Sequence, residues 1–186
     1  MNRMIAIAED VFRIPGFLSR DECLRLRAIA ERIGFEAAGV GAAQQRLEAV
    51  RNNDRIVLQS PDWSAQLWTR LIGYGLPDFE GEHAAGFTEY WRFYRYTPGQ
   101  RFKMHRDGSA ESHGMRSRLT FLIYLNSDFA GGETRFRPTH ADSAPDALSV
   151  RPDAGMALLF AHERWHEGAP VLDGVKYALR TDILYA

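Results

Sequence analysis

The sequence has a single cysteine, Cys23, so no disulfide can form within the chain. That scarcity points to a reducing compartment, and the cytoplasm is the expected location. No apolar run is long enough to span a bilayer, and the apolar stretch in MNRMIAIAEDVF is too short for a signal peptide. An excess of either charge is also missing. There are 23 Lys and Arg against 24 Asp and Glu, a net charge of −1. So even a balance argues against nucleic acid or an anionic membrane as the main partner. Repeats and low-complexity segments are absent. What remains is an ordinary globular composition, 45% hydrophobic and 25% charged over 186 residues, enough for one domain with a real core. Composition leaves the oligomeric state open.

The first third reads as mainly helical. Ser19-Arg20-Asp21-Glu22 fits a capping box. Cys23, Leu26, Ala30 and Ile33 then recur at helical spacing until Gly34 stops the helix, which makes Cys23 a small buried apolar residue. A second helix is expected from Ser60-Pro61, with Trp63, Leu67, Trp68, Leu71 and Ile72 as its apolar stripe.

From residue 88 the pattern changes to short strands broken by Gly and Pro turns. Thr88 to Tyr96 alternates, with Tyr90, Arg92, Tyr94 and Tyr96 on one face. Arg101 to Asp107 is a short strand. Arg118 to Asn126 is apolar on both faces and so belongs in the middle of a sheet. Further strands are expected at 133–137, 156–160 and 176–184. The fold expectation is mainly β with N-terminal helices, built on a jelly roll (a cupin-like double-stranded β-helix). Residues 1–87 would form a helical support region and 88–186 the catalytic core of one domain.

In His105-Arg106-Asp107, residues two apart on a strand point the same way, so an imidazole and a carboxylate converge. Two histidines and one carboxylate on one face of an octahedron suit a non-haem Fe(II) oxygenase, but a lone His-x-Asp is common by chance. The third ligand must come from elsewhere, and His83, His113, His140, His162 and His166 all compete for it.

The segment His166-Glu167-Gly168-Ala169-Pro170-Val171, followed by Gly174 and Lys176-Tyr177, resembles the distal-histidine region of the Fe(II)/2-oxoglutarate-dependent dioxygenases, in their prolyl 4-hydroxylase-like branch. Arg95 to Gln100 is similar to the family's approach to His-x-Asp. Leu119 to Asn126 is similar to its central strand, and Phe129-Ala130-Gly131-Gly132-Glu133-Thr134 to its Gly-Gly-Glu-Thr turn. The resemblance covers roughly residues 88–186 in the family's order.

It implies His105, Asp107 and His166 as iron ligands, with Lys176, ten positions after the distal histidine, binding the far carboxylate of 2-oxoglutarate. It also implies Tyr124 as a hydroxyl donor to 2-oxoglutarate, with Thr120 on the same strand face, and Tyr96 as an active-site tyrosine. Fe(II), 2-oxoglutarate and O2 follow as cofactor and co-substrates, and ascorbate as an optional accessory. Relatives often carry a tyrosine three residues before the first histidine. Phe102 stands there in this chain, so any hydrogen bond made by that hydroxyl is lost.

The implied activity is hydroxylation of a C–H bond, in a prolyl residue of a protein or in a free amino acid or other small molecule. A non-catalytic metal- or ligand-binding module on the same fold is the rival reading. Relatives that halogenate lack the carboxylate ligand, and Asp107 fills that place.

Two basic groups compete for the carboxylate of 2-oxoglutarate. Lys176 and Arg180 are four apart on one strand and share a face. The fork of an arginine favours Arg180, whereas the spacing from His166 in the resembling family favours Lys176. Arg180 is then expected to pair with Asp182 or with substrate. The run Arg51-Asn52-Asn53-Asp54-Arg55 reads as a solvated loop, from which Arg51 or Arg55 would reach a substrate carboxylate at the mouth of the site.

Overall fold

The computed structural model describes residues 3–37, 50–140 and 148–186. Strands β1 (Ile5–Ala8) and β2 (Val11–Ile14) form a hairpin that leads into helix α1 (Arg20–Ile33). Next come β3 (Glu36–Ala37), β4 (Asp54–Gln59), helix α2 (Pro61–Leu71), β5 (Ala84–Phe87), β6 (Tyr90–Tyr96), β7 (Phe102–His105) and β8 (Glu111–Ser112). The chain continues through β9 (Met115–Tyr124), β10 (Ala130–Gly131), β11 (Thr134–Arg137), β12 (Leu148–Val150), β13 (Ala157–Ala161), β14 (Trp165–Gly168), β15 (Val171–Asp173) and β16 (Lys176–Tyr185). Among these described residues, no helix is long and apolar enough to cross a membrane.

The strands form a large sheet in the order β1-β2-β13-β9-β16-β6-β4-β3, with β5 added to β16 and β8 to β9. A small sheet runs β12-β11-β14-β7, and β10 pairs with β15. The pairings are antiparallel, consistent with a jelly roll.

Alternation in the central strands separates two cores. Leu119, Phe121, Ile123, Leu159, Leu179 and Ile183 pack with Cys23, Ala30 and Leu71 of the helices. On the opposite face Tyr124, Leu158 and Phe160 meet Phe136 and Val150 of the small sheet. Strand β9 lies between β13 and β16, which is why both of its faces are apolar.

The helix signals hold. Ser19 Oγ accepts from the Glu22 amide at 3.2 Å, and Glu22 accepts from the Ser19 amide at 2.7 Å. Gly34, at φ 92°, closes α1. Ser60 caps α2, its Oγ accepting from the Trp63 amide. Ile33 and Ile72, expected in the apolar stripes, are exposed at the helix ends. Cys23 is buried and free, and burial pushes its thiol up to about 11.

The mainly helical reading of the first third needs correction, because five strands, β1 to β5, come before residue 88. Strands of two to six residues carry too little periodicity to be read alone. Of these, β2, β4 and β5 find their hydrogen-bond partners in β13, β6 and β16, and β1 and β3 extend the sheet by pairing with β2 and β4. The loop expected at Arg51 to Arg55 is likewise corrected: Asp54 and Arg55 open β4, where Arg55 lies opposite Tyr94.

Candidate active site

The register of the small sheet places His105 of β7 directly opposite His166 of β14. Their ring centroids are 4.2 Å apart. His105 Nδ1 faces the Lys103 carbonyl at 2.7 Å, and His166 Nδ1 faces the Arg164 carbonyl at 2.9 Å. A carbonyl only accepts, so each Nδ1 carries a proton and Nε2 is the nitrogen left to ligate a metal. Both Nε2 atoms face Asp107, His105 at 3.5 Å from Oδ1 and His166 at 3.5 Å from Oδ2. The three ligand atoms lie within 4.8 Å of one another. Two imidazoles and a carboxylate are a donor set that fits Fe(II).

Burial holds the His166 imidazole down to about 4, so it stays neutral and able to ligate. Burial alone would raise the Asp107 carboxyl, but the charge of Arg180 and contacts with the two histidines hold it well below the usual range. Phe102 stacks on His105 with centroids 3.6 Å apart and an interplanar angle of 13°. The side chain without the hydroxyl therefore supports the ligand ring face-on.

Behind Asp107 stands a second layer of polar groups. Thr120 Oγ1 donates to Asp107 Oδ2 at 2.6 Å. Arg180 Nη2 lies 3.1 Å from Asp107 Oδ1 and 3.0 Å from Asp182 Oδ1. The pairing of Arg180 with Asp182 was expected; the contact with Asp107 was not. His162 has its Nδ1 3.1 Å from Thr120 Oγ1 and its Nε2 3.0 Å from Ser117 Oγ. With both nitrogens engaged by hydroxyls, it stands behind Asp107 and outside the triad.

At the far end of the cavity, Lys176 opens β16 opposite Tyr96. Its side chain is buried, donates to the Gly132 carbonyl at 2.7 Å, and lies over the rings of Tyr96 and Tyr124. Burial brings its ammonium down to about 8. No carboxylate forms an ion pair with it among the described residues. A Cβ on Gly132 would stand 3.1 Å from Lys176 Cδ and 2.9 Å from the Phe129 ring, so glycine leaves room for the lysine stem. Tyr124 OH lies 2.6 Å from Thr134 Oγ1. Thr134 also lines the cavity, a role the sequence signals only through its place at the end of the Gly-Gly-Glu-Thr turn.

Of the residues singled out in the sequence, the triad, Lys176, Tyr96, Thr120 and Arg180 line this one cavity. Tyr124 is buried against Lys176. Thr120 is directed at Asp107 rather than at the lysine. Arg51 forms a bridge to Phe102 of the cavity wall, its guanidinium 5.6 Å from the ring centroid. Ala178, opposite both Tyr94 and Tyr124, leaves space between Lys176 and Arg180.

Residues 91–181 match the model of the 2OG-Fe(II) oxygenase superfamily. A prolyl 4-hydroxylase candidate of Acanthamoeba polyphaga mimivirus is 33% identical over a region covering 45% of this chain and 39% of the relative, so the match spans about two fifths of that protein. Among solved structures, the viral collagen prolyl hydroxylase of Paramecium bursaria Chlorella virus-1 superposes with a TM-score of 0.65 at 21% identity, covering 96% of this chain and 99% of that one. A Trichoplax adhaerens prolyl hydroxylase, solved with a hypoxia-inducible-factor peptide fragment, gives 0.70 at 18% identity over 94% and 83%. These likenesses show the fold. The segment that carries the triad, Lys176 and Arg180 is thus the part of this chain that matches the 2OG-Fe(II) oxygenase superfamily.

Proposed function

We propose that the protein is an Fe(II)- and 2-oxoglutarate-dependent dioxygenase that hydroxylates a C–H bond, in a prolyl residue or in a free amino acid or other small molecule. The observation that carries this reading is Lys176. A lysine buried without a carboxylate partner, in the same cavity as a His-Asp-His triad, calls for an anionic ligand.

His105, Asp107 and His166 would hold the iron. Lys176 would bind and neutralise the far carboxylate of 2-oxoglutarate, with Tyr124, Thr134 and Tyr96 around it. Thr120 and Arg180 hold Asp107 in place by a hydrogen bond and an ion pair. The aromatic walls of Tyr96, Phe102 and Phe160 exclude water from the space between. The chemistry available with iron bound is the oxidative decarboxylation of 2-oxoglutarate by O2 to succinate and CO2, coupled to hydroxylation of the substrate. Ascorbate would act as an accessory.

The peptide bound to the Trichoplax protein favours a prolyl residue as one option. The test is succinate release from 2-oxoglutarate with iron present, together with a search for products heavier by one oxygen atom in peptide libraries and small-molecule extracts. Iron and 2-oxoglutarate binding without succinate under any substrate would favour a non-catalytic ligand-binding module instead.

A further inference from the structure

Buried side-chain polar atoms almost always find a partner. Among the described residues four do not: Arg51 Nε, Asn53 Oδ1, Tyr94 OH and Arg180 Nε. Tyr94 and Arg180 line the cavity beside the triad. Arg51 packs its guanidinium against Phe102 of the cavity wall, close enough for its charge to act on Tyr94, Tyr96 and Arg180. Tyr94 is only 4% exposed, and the Arg180 side chain stands within hydrogen-bonding reach of its hydroxyl, but in a poorly aligned geometry that leaves both Tyr94 OH and Arg180 Nε without a well-directed partner.

We infer that Arg51, Tyr94 and Arg180 form a recognition site for a carboxylate of the primary substrate, which makes the hydroxylated molecule an amino acid with a free carboxylate rather than an internal residue of a peptide. This rests on the dioxygenase reading above and names its substrate class. Two of the three open groups are guanidinium N–H donors and the third is a phenol, so the missing partner is rich in acceptors and negative. The large sheet adds charge on the same face: Arg55 lies opposite Tyr94, and Arg92 opposite Arg180. Arg92 is already held by Asp182 at 3.2 Å. Arg180 gives Nη2 to Asp107 and Asp182 but leaves Nε open.

The far carboxylate of 2-oxoglutarate does not explain this site. Lys176 serves it four residues away along β16, about 13 Å at ~3.3 Å per residue. A wider cleft of about 540 Å³ on the other side of Asp107 also holds arginines. There, however, Arg118 pairs with Glu80 and Glu82, Arg164 pairs with Glu9, and Arg106 lies over Trp165. Because Arg180 touches Asp107, a carboxylate held on its Nε lies within a side-chain length of the triad. The C–H bond attacked is therefore close to that carboxylate.

The test is calorimetric titration of the full chain loaded with Mn(II) and saturating 2-oxoglutarate, which keeps the Lys176 end filled. The ligands are the common amino acids against their primary amides, and short peptides ending in a free carboxylate against the same peptides amidated. The expected result is at least one acid bound about tenfold or more tighter than its amide, with the preference lost in Arg51→Gln and in Tyr94→Phe. Preference among single amino acids identifies a free amino acid, and preference confined to peptides identifies a chain terminus. Equal binding of acid and amide throughout, or a preference that survives both substitutions, overturns the inference. So does loss of 2-oxoglutarate saturation in Arg51→Gln, which would assign the site to the co-substrate. A wild-type protein that takes up neither Mn(II) nor 2-oxoglutarate sinks the dioxygenase reading, and this inference with it.

Discussion

His105 and His166 face each other across the β7–β14 ladder, and Asp107 closes the triangle at 3.5 Å from each Nε2. Sheet hydrogen bonding and two backbone carbonyls hold this arrangement before any metal arrives. His105→Ala or His166→Ala is expected to lower affinity for Fe(II) or Mn(II) by more than about 100-fold. His162→Ala, which disturbs only the support of Asp107 and Thr120, is expected to lower it by about tenfold at most. A metal titration in which His162→Ala loses binding while His166→Ala keeps it would show that the wrong histidine was assigned.

Lys176 gives a prediction in which stability and function move in opposite directions. Burial lowers its pKa from 10.5 to about 8, so the folded state disfavours the charged form. At pH 7 both folded and unfolded chains are protonated, and the folded one bears a penalty of about 3 kcal/mol. Lys176→Met is therefore expected to stabilise the ligand-free protein by up to about 3 kcal/mol in denaturant unfolding. It should also weaken 2-oxoglutarate binding by about 100-fold or more. In the wild type the penalty is relieved as pH rises from about 8 towards 10.5, so stability without ligand rises across that window. Affinity for 2-oxoglutarate is expected to fall over the same range, because Lys176, proposed to bind it, loses its charge. A destabilised Lys176→Met protein would refute this account.

Arg180 has a different role from Lys176. Removing it leaves Asp107, only 5% exposed at its side chain, without its ion pair, while Asp182 keeps Arg92. Arg180→Ala is expected to destabilise the metal-free protein by about 3 kcal/mol. The rise in Tm on adding metal should be larger than in the wild type, since the cation then neutralises an unpaired carboxylate. The Michaelis constant for 2-oxoglutarate should change much less than in Lys176→Ala. The reverse order in a 2-oxoglutarate titration of the two variants would show that Arg180 binds the far carboxylate.

Asp107 also bears on the reaction outcome. With Asp107 as the proposed carboxylate ligand, the position that halogenating relatives leave open for a halide would be filled. The expected product is hydroxylated, with no chlorinated product even at high chloride. Mass spectrometry of reaction mixtures decides this, and a chlorinated product from the wild-type protein would contradict it.

The sequence by itself marked the candidate residues of the site and determined the central strands. Cap residues and period-two alternation act over a few positions, and so α1, α2, β6, β9, β13 and β16 were all legible. Motif order likewise marked His105, Asp107, His166 and Lys176. What only the tertiary structure decided involves partners distant along the chain. Among the early strands, β2, β4 and β5 are stabilised by ladders to β13, β6 and β16, and β1 and β3 pair with β2 and β4, which no local pattern announces. Whether Thr120 serves Lys176 or Asp107 depended on which part of β9 lies under the triad. Arg180 became a partner of Asp107 because β16 carries it past the small sheet. The hydroxyl of Tyr94, left without a well-directed partner, is a property of packing alone, since such a gap exists only once every neighbour has been placed.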